Sequence, residues 1–263
     1  MIVSRAAAGL VVVLQVDHQE QCRAAAGAWG NATFRRIDPW SPAVEAAAVH
    51  DEGWRAWEEH PEVDAHGAPV DFLALERARH VALSRRGIDL AFERSPRVGL
   101  LVSMHVEGLY RARLGLDGEP PDPATLPEPA RGLVTSEVRR QEAARRAIGG
   151  DGTRSWAWDA YRLLQAWDAL SLYLTWRGLP GARPGRLPCV PEGPGLAGVD
   201  LALAPVDALT ASCDPFPFAG DEAVLPVRTR TIPDRIYGDH ADLRASLTAA
   251  PVEERRYRVI RRD

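Results

Sequence analysis

The sequence predicts a mainly α-helical protein: a helical bundle with a short N-terminal β-hairpin and a small mixed α/β C-terminal tail. Three observations carry that expectation. Ser41-Pro42 and Ser95-Pro96 each precede an apolar run, and Ser followed by Pro marks a helix start. The stretch from Trp156 to Trp176 is strongly apolar and long enough for five helical turns. Strand-like alternation is concentrated at the two ends of the chain.

Taken in order, Met1 to Arg5, a turn near Gly9, and the branched run Val11 to Val13 with Val16 form a hairpin. Ala6 to Val16 is too short to span a bilayer and runs into Asp17-His18, so it reads as strand and not as a targeting sequence. Asp17 with Glu20 three residues on reads as a capping box, opening a helix that stops at Gly30-Asn31. The second helix starts at Ser41-Pro42 and carries Val49-His50-Asp51-Glu52-Gly53-Trp54. Asp71 opens a third, ending at Gly87, and Ser95-Pro96 opens a fourth through His105 and Leu109. Five prolines between Glu119 and Pro129 read as an ordered surface loop or a lid, not as regular structure. A charged helix follows near Leu133 to Ile148, then the apolar one. Gly178 to Val199, rich in Gly and Pro, reads as a linker. Beyond it, Pro226 to Ile232 and Arg255 to Arg261 alternate as strands, with a short helix at Asp242 to Ala249.

Composition narrows the function. With 46% hydrophobic and 26% charged residues, the chain has the makeup of a soluble globular protein. Its net charge of -4 argues against nucleic acid or an anionic membrane as partner, since both demand clustered positive charge. Every basic residue is Arg, which excludes Schiff-base lysine chemistry and a Walker-type phosphate loop. Cys22, Cys189 and Cys213 form no C-x-x-C pair, so neither a zinc ribbon nor a disulfide framework is expected, and the reduced cytoplasm is the expected location.

The chemistry-bearing residues are histidines and acids. His18, His50, His80 and His105 fall one per predicted helix, with Asp51 directly after His50 and Asp168 in the apolar helix. Asp168 is the most informative, because no other residue between Leu163 and Leu174 is charged. A carboxylate buried there needs a cation or a strong donor to offset its desolvation. Imidazole and carboxylate together suit manganese, iron, zinc or magnesium. His60, His66 and His240 read as surface residues in polar surroundings. Cys22, one turn from His18, reads as a small core residue.

His18, the small-residue helix Ala46-Ala47-Ala48-Val49 ending in His50-Asp51-Glu52-Gly53, then His80, His105 and Asp168 resemble the HD-domain superfamily of metal-dependent phosphohydrolases. The whole chain is also similar to an uncharacterised bacterial family of HD-like proteins. The resemblance implies an HD-like helical bundle over residues 1–180, with the linker and tail over 181–263. It implies His18 and His50 as the first two ligands, Asp51 as the metal-bridging and catalytic aspartate, and Asp168 as the last ligand. His80 and His105 match the extra histidines of members that hold two metals, so two divalent ions are expected. Trp54 and Arg55 follow the motif where the signalling phosphodiesterases place a lysine, and Met104-His105 replaces their doubled histidine. Cyclic dinucleotides are therefore not the expected substrate.

The expected reaction is hydrolysis of a small phosphoester, with Asp51 orienting the nucleophile, Arg55 or Arg111 clamping phosphate, and Gln15 and Trp54 at the pocket mouth, core packing being the commoner role for Trp54. Glu52 and Glu107 are candidate proton shuttles. Two other functions fit the same residues: a diiron oxygenase with the same six ligands, and a helical binding or scaffold protein whose histidines are incidental.

Overall fold

The computed structural model describes residues 1–149 and 152–262. Strands β1 (Ile2–Ala6) and β2 (Gly9–Val13) form the expected hairpin. The helices are α1 (Gln15–Ala28), α2 (Ser41–Val49), the single turn α3 (Arg55–Glu58), α4 (Arg77–Arg94), α5 (Pro96–Tyr110), the short turn α6 (Ala112–Gly115), α7 (Ala130–Ile148) and α8 (Gly152–Leu172). A π-helical turn over Tyr173–Arg177 extends α8. Then come β3 (Gly185–Pro191), β4 (Gly198–Pro205), β5 (Thr210–Asp214), β6 (Glu222–Ile232), α9 (His240–Ala249) and β7 (Glu253–Arg261).

These strands overturn the mainly α expectation. The protein is 47% helical and 21% strand, with a seven-stranded mixed sheet in the order β1-β2-β6-β7-β5-β4-β3. The hairpin is not isolated: Leu10 to Val12 of β2 pair with Ile232 to Arg230 of β6, joining the two ends of the chain in one sheet. Every pairing is antiparallel except β5 with β7. The expected linker contains β3. Its Gly and Pro content reflects an edge strand, where Pro188 has no ladder bond to break. The irregularity between Leu187 and Val190 reflects a close approach. A Cβ on Gly198 would lie 2.2 Å from the Cys189 carbonyl oxygen. In β4 the period-two signal is carried by buried Leu201 and Leu203.

Three helix starts also differ. Leu14 precedes α1 with no side-chain cap, because Asp17 is drawn instead to Arg228 of β6 (2.8 Å). In α2, Ser41 lies inside the helix behind Trp40. Asp71 caps a turn, accepting from the amides of Leu73 and Ala74 (both 2.9 Å), and α4 begins six residues later. Gly87 does not end that helix; it is the point where another backbone packs on it. Ser95 caps α5 as expected, accepting from the Val98 amide (3.2 Å).

One large apolar core lies between the helices and the sheet, from Ile2, Val13 and Trp29 through Leu101 and Trp167 to Leu225 and Val259. A second covers the opposite side of the hairpin, where Leu10 and Val12 meet Leu243 and Leu247 of α9. Thus β2 is buried along its whole length, which explains its unbroken branched sequence. Among the described residues, no helix is long and apolar enough to cross a membrane.

Candidate metal centre

Four helices bring the site together. The first two amides of α1, Gln15 and Val16, donate to the Glu58 carboxylate (2.6 and 3.4 Å), which also pairs with the Met1 ammonium (3.0 Å). A carboxylate at a helix N-terminus satisfies orphan N–H groups and favours the dipole. Burial pushes the Glu58 pKa up, against the opposing charge of the ammonium. This clamp sets the first turn of α1, from which His18 projects.

His50 ends α2. Asp51 leaves helical geometry (φ −109°, ψ 15°) and its amide donates to Gln19 Oε1 (3.0 Å). The departure turns the Asp51 carboxylate toward the same side as the His50 ring. Gly53 explains the motif's glycine: a Cβ there would lie 2.1 Å from the Leu83 carbonyl oxygen and 2.7 Å from the Gly87 amide nitrogen of α4. His105 comes from α5 and Asp168 from α8, both buried.

The atoms converge. Asp168 Oδ1 lies 3.1 Å from His18 Nε2 and 3.9 Å from His50 Nε2; Asp51 Oδ2 lies 4.0 and 3.5 Å from the same nitrogens. The His50 ring stands edge-on to His18 (centroids 5.4 Å) and to His105 (5.0 Å). His50, His105 and Asp168 each offer a ligand atom within 4.8 Å of the others, and so do His18, Cys22 and His50.

The supporting hydrogen bonds fix which nitrogen each ring presents. His50 Nδ1 donates to the Ala47 carbonyl (3.0 Å), leaving Nε2 with no hydrogen-bond partner among the described residues. Ser171 donates its hydroxyl hydrogen to Gln21 Oε1 (2.6 Å), so its oxygen accepts from His18 Nδ1 (2.7 Å) and His18 Nε2 faces the carboxylates. Burial works against charge on His18, but the hydrogen bond to Asp168 and the charge of that carboxylate hold its pKa well above the ordinary histidine value. Burial raises the Cys22 thiol, which donates to the Trp167 carbonyl (3.5 Å). It therefore stays protonated, and Asp168 is the charge that pairs with His18. Burial alone would raise Asp168, yet the His18 hydrogen bond and the charges of Arg113 and His18 hold it far below the usual carboxylate range. Burial lowers His105 to about 4.

A buried imidazole nitrogen with no partner, beside two carboxylates, fits a divalent cation. Each neighbour is a donor atom that such an ion prefers, and an orphaned buried polar atom calls for an explanation.

All six expected ligands line one cavity of about 230 Å³. His80 stands apart from the tight group. Its Nδ1 is bound to the Tyr110 hydroxyl (2.7 Å) and its ring packs edge-on to Trp54. Burial lowers its pKa, opposed by Asp51. Gln15 and Trp54 line the cavity, together with Phe72, Leu73 and Trp176, which make its wall apolar; Trp54 also packs in the second core. The expected phosphate clamps do not line it. Arg55 pairs with Glu52 on the surface (2.5 Å), while Arg111 pairs with Glu107. Glu52 and Glu107 are held by those arginines.

The arginine in the cavity is Arg113, which sequence reasoning missed. It lies in α6, whose backbone is left-handed at Ala112, Arg113 and Leu114 (φ 45°, 47° and 53°). Such a conformation costs roughly 1–2 kcal/mol per residue, and here it turns the guanidinium to Gln165 Oε1 (2.8 Å) and near Asp168 Oδ2 (3.7 Å). Gln165 and Ser171 were missed too, although three-residue spacing on either side of Asp168 places all three on one helical face.

The model for "Protein of unknown function (DUF3891)" matches residues 1–234. The chain belongs to the DUF3891 family. That match takes in all six candidate ligands and ends just after β6, leaving α9 and β7 outside it. No curated protein and no solved structure matches the chain.

Proposed function

We propose that this DUF3891 protein is a metal-dependent hydrolase of small phosphoesters, working with one divalent ion held by His18, His50, Asp51 and Asp168. The observation that carries the reading is His50 Nε2: buried, without a hydrogen-bond partner among the described residues, and 3.5 and 3.9 Å from two carboxylate oxygens. One ion suits this geometry better than the two expected from the motif, because His80, needed for a second, is in neither group of donor atoms that lie within 4.8 Å of one another.

A divalent cation held here supplies a Lewis acid that makes water acidic near neutral pH and neutralises charge on a phosphoryl oxygen. The chain's own residues do the rest. Asp51 accepts a hydrogen bond from the attacking water and aligns it. Arg113, whose Nε pairs with Asp117 (3.0 Å), donates to the phosphoryl oxygens from its terminal N–H groups at the edge of the carboxylate cluster. Phe72, Leu73 and Trp176 keep bulk water from the reacting atoms and favour a substrate whose non-phosphate part is apolar.

Metal analysis of the purified protein beside His50→Ala and Asp168→Ala tests the reading, followed by assay of a phosphomonoester panel with manganese, zinc or iron. One ion per chain, lost in both variants, with phosphate release by the loaded protein alone, is the expected result. Equal occupancy in all three proteins overturns the metal centre. Iron with oxygen uptake and no phosphate release overturns hydrolysis in favour of oxygen chemistry.

A further inference from the structure

His105 belongs to the candidate centre by distance, since its ligand atom falls within 4.8 Å of those of His50 and Asp168. Its hydrogen bonds place it differently. The Arg113 guanidinium has only donors, so the Gln165 oxygen must face it, and Oε1 lies 2.8 Å from Nη1. The Gln165 amide nitrogen is thereby turned to His105 Nδ1, at 2.9 Å. An amide NH2 cannot accept, so Nδ1 must. The His105 ring is then neutral, with its hydrogen on Nε2.

His18 and His50 are wired the opposite way. Their Nδ1 atoms donate to Ser171 Oγ and the Ala47 carbonyl, the arrangement that readies Nε2 for a metal. Three histidines of one cavity thus divide into two whose Nδ1 donates, leaving Nε2 to meet a metal once His18 gives up its proton, and one whose Nδ1 accepts and whose hydrogen is on Nε2.

We propose that His105 is an N–H donor to the oxyanion bound beside the metal and not a ligand, and that Arg113, acting through Gln165, sets this role. The proposal rests on the metal-dependent reading above. With Arg113 it gives the cavity two N–H donors, one charged and one neutral, beside the acidic cluster, which suits a substrate with at least two anionic oxygens, such as a phosphomonoester. His105 then touches the substrate, while Gln165 is a positioning residue.

The tautomer can be read directly. In metal-free protein with 15N-labelled histidine, two-bond proton–nitrogen spectra distinguish Nδ1–H from Nε2–H, and the His105 signals are those missing from His105→Gln. The Nε2–H form is expected; finding Nδ1–H overturns the proposal. Gln165→Glu then reverses the wiring, because a carboxylate pairs with Arg113 and accepts from Nδ1–H. Cobalt bound to this variant should gain one imidazole nitrogen by X-ray absorption and bind on the order of tenfold tighter. The same imidazole count as wild type, in a variant whose circular dichroism is native, refutes the proposal. Gln165→Leu, which neither donates nor accepts, should not gain the extra nitrogen in the way Gln165→Glu does; an equal gain in both also refutes it. If wild type binds no cobalt, the metal reading fails and the tautomer spectrum still decides the role of Gln165.

Discussion

Adding zinc to the metal-free protein at pH 7 should release one proton per ion, and His18 is its source. Without metal, His18 Nδ1 donates to Ser171 and Nε2 lies 3.1 Å from Asp168 Oδ1, so the ring is an imidazolium paired with a carboxylate. Its pKa is held well above the ordinary value, and that of Asp168 well below. A cation approaching Nε2 must displace that proton, whereas His50 Nε2 has no partner to lose. Below the His18 pKa, affinity should therefore rise tenfold per pH unit, about 1.4 kcal/mol. Titration calorimetry in buffers of different ionisation enthalpy counts the proton as the slope of observed heat against buffer enthalpy. A slope near zero, with affinity flat from pH 6 to 7.5, would refute the buried ion pair and the ligand assignment together.

The same pair sets a stability window. The raised His18 pKa gives a contribution full below about pH 6.5 and lost as pH rises through its folded value, while the depressed Asp168 pKa gives one full above about pH 4 and lost on acidification. Thermal melts of the metal-free protein should be highest between those limits and fall on the alkaline side, a fall that saturating zinc removes. Gly53→Ala drives a methyl into the α4 backbone, so urea unfolding should show a loss of at least about 1–3 kcal/mol; no change would deny the close approach. Ser171→Ala leaves His18 Nδ1–H and Gln21 Oε1 without their partner, costing about 1–3 kcal/mol. It should also weaken metal binding about 10–100-fold by calorimetry. His80→Phe should keep one ion per chain by elemental analysis; loss of the ion would make His80 a ligand after all.

The members of the buried cluster were legible because a buried charge or imidazole needs a reason. Asp168 alone in an apolar helix, and His50-Asp51 after a run of alanines, announce themselves by the cost of desolvation. What holds them was not. Arg113 reaches the cavity only through a left-handed turn that no sequence pattern encodes, while the more conspicuous Arg55 and Arg111 are taken up by glutamates three or four residues away. The helices were legible from period and from Ser95-Pro96. The sheet was underestimated because β3 carries prolines at an edge, and because β4 and β5 are short strands that follow a Gly/Pro-rich stretch. The pairing of β2 with β6 closes a loop of more than 200 residues, a contact for which local pattern gives no signal.

That long-range pairing is what makes the C-terminal sheet part of the site. Leu225 of β6 accepts from Gln21 Nε2 (3.0 Å), Gln21 Oε1 accepts from Ser171, and Ser171 accepts from His18. A strand backbone thus fixes an amide, the amide fixes a hydroxyl, and the hydroxyl fixes which imidazole nitrogen meets the carboxylates. Arg228, three residues further along β6, holds Asp17, the neighbour of His18. β6 is in turn held in register by β7 from Glu222 to Thr229, so the strand that follows the family match braces the strand that orients His18. A helical bundle alone would present the same six side chains. Without β6 behind α1, nothing would fix which His18 nitrogen faces the carboxylates.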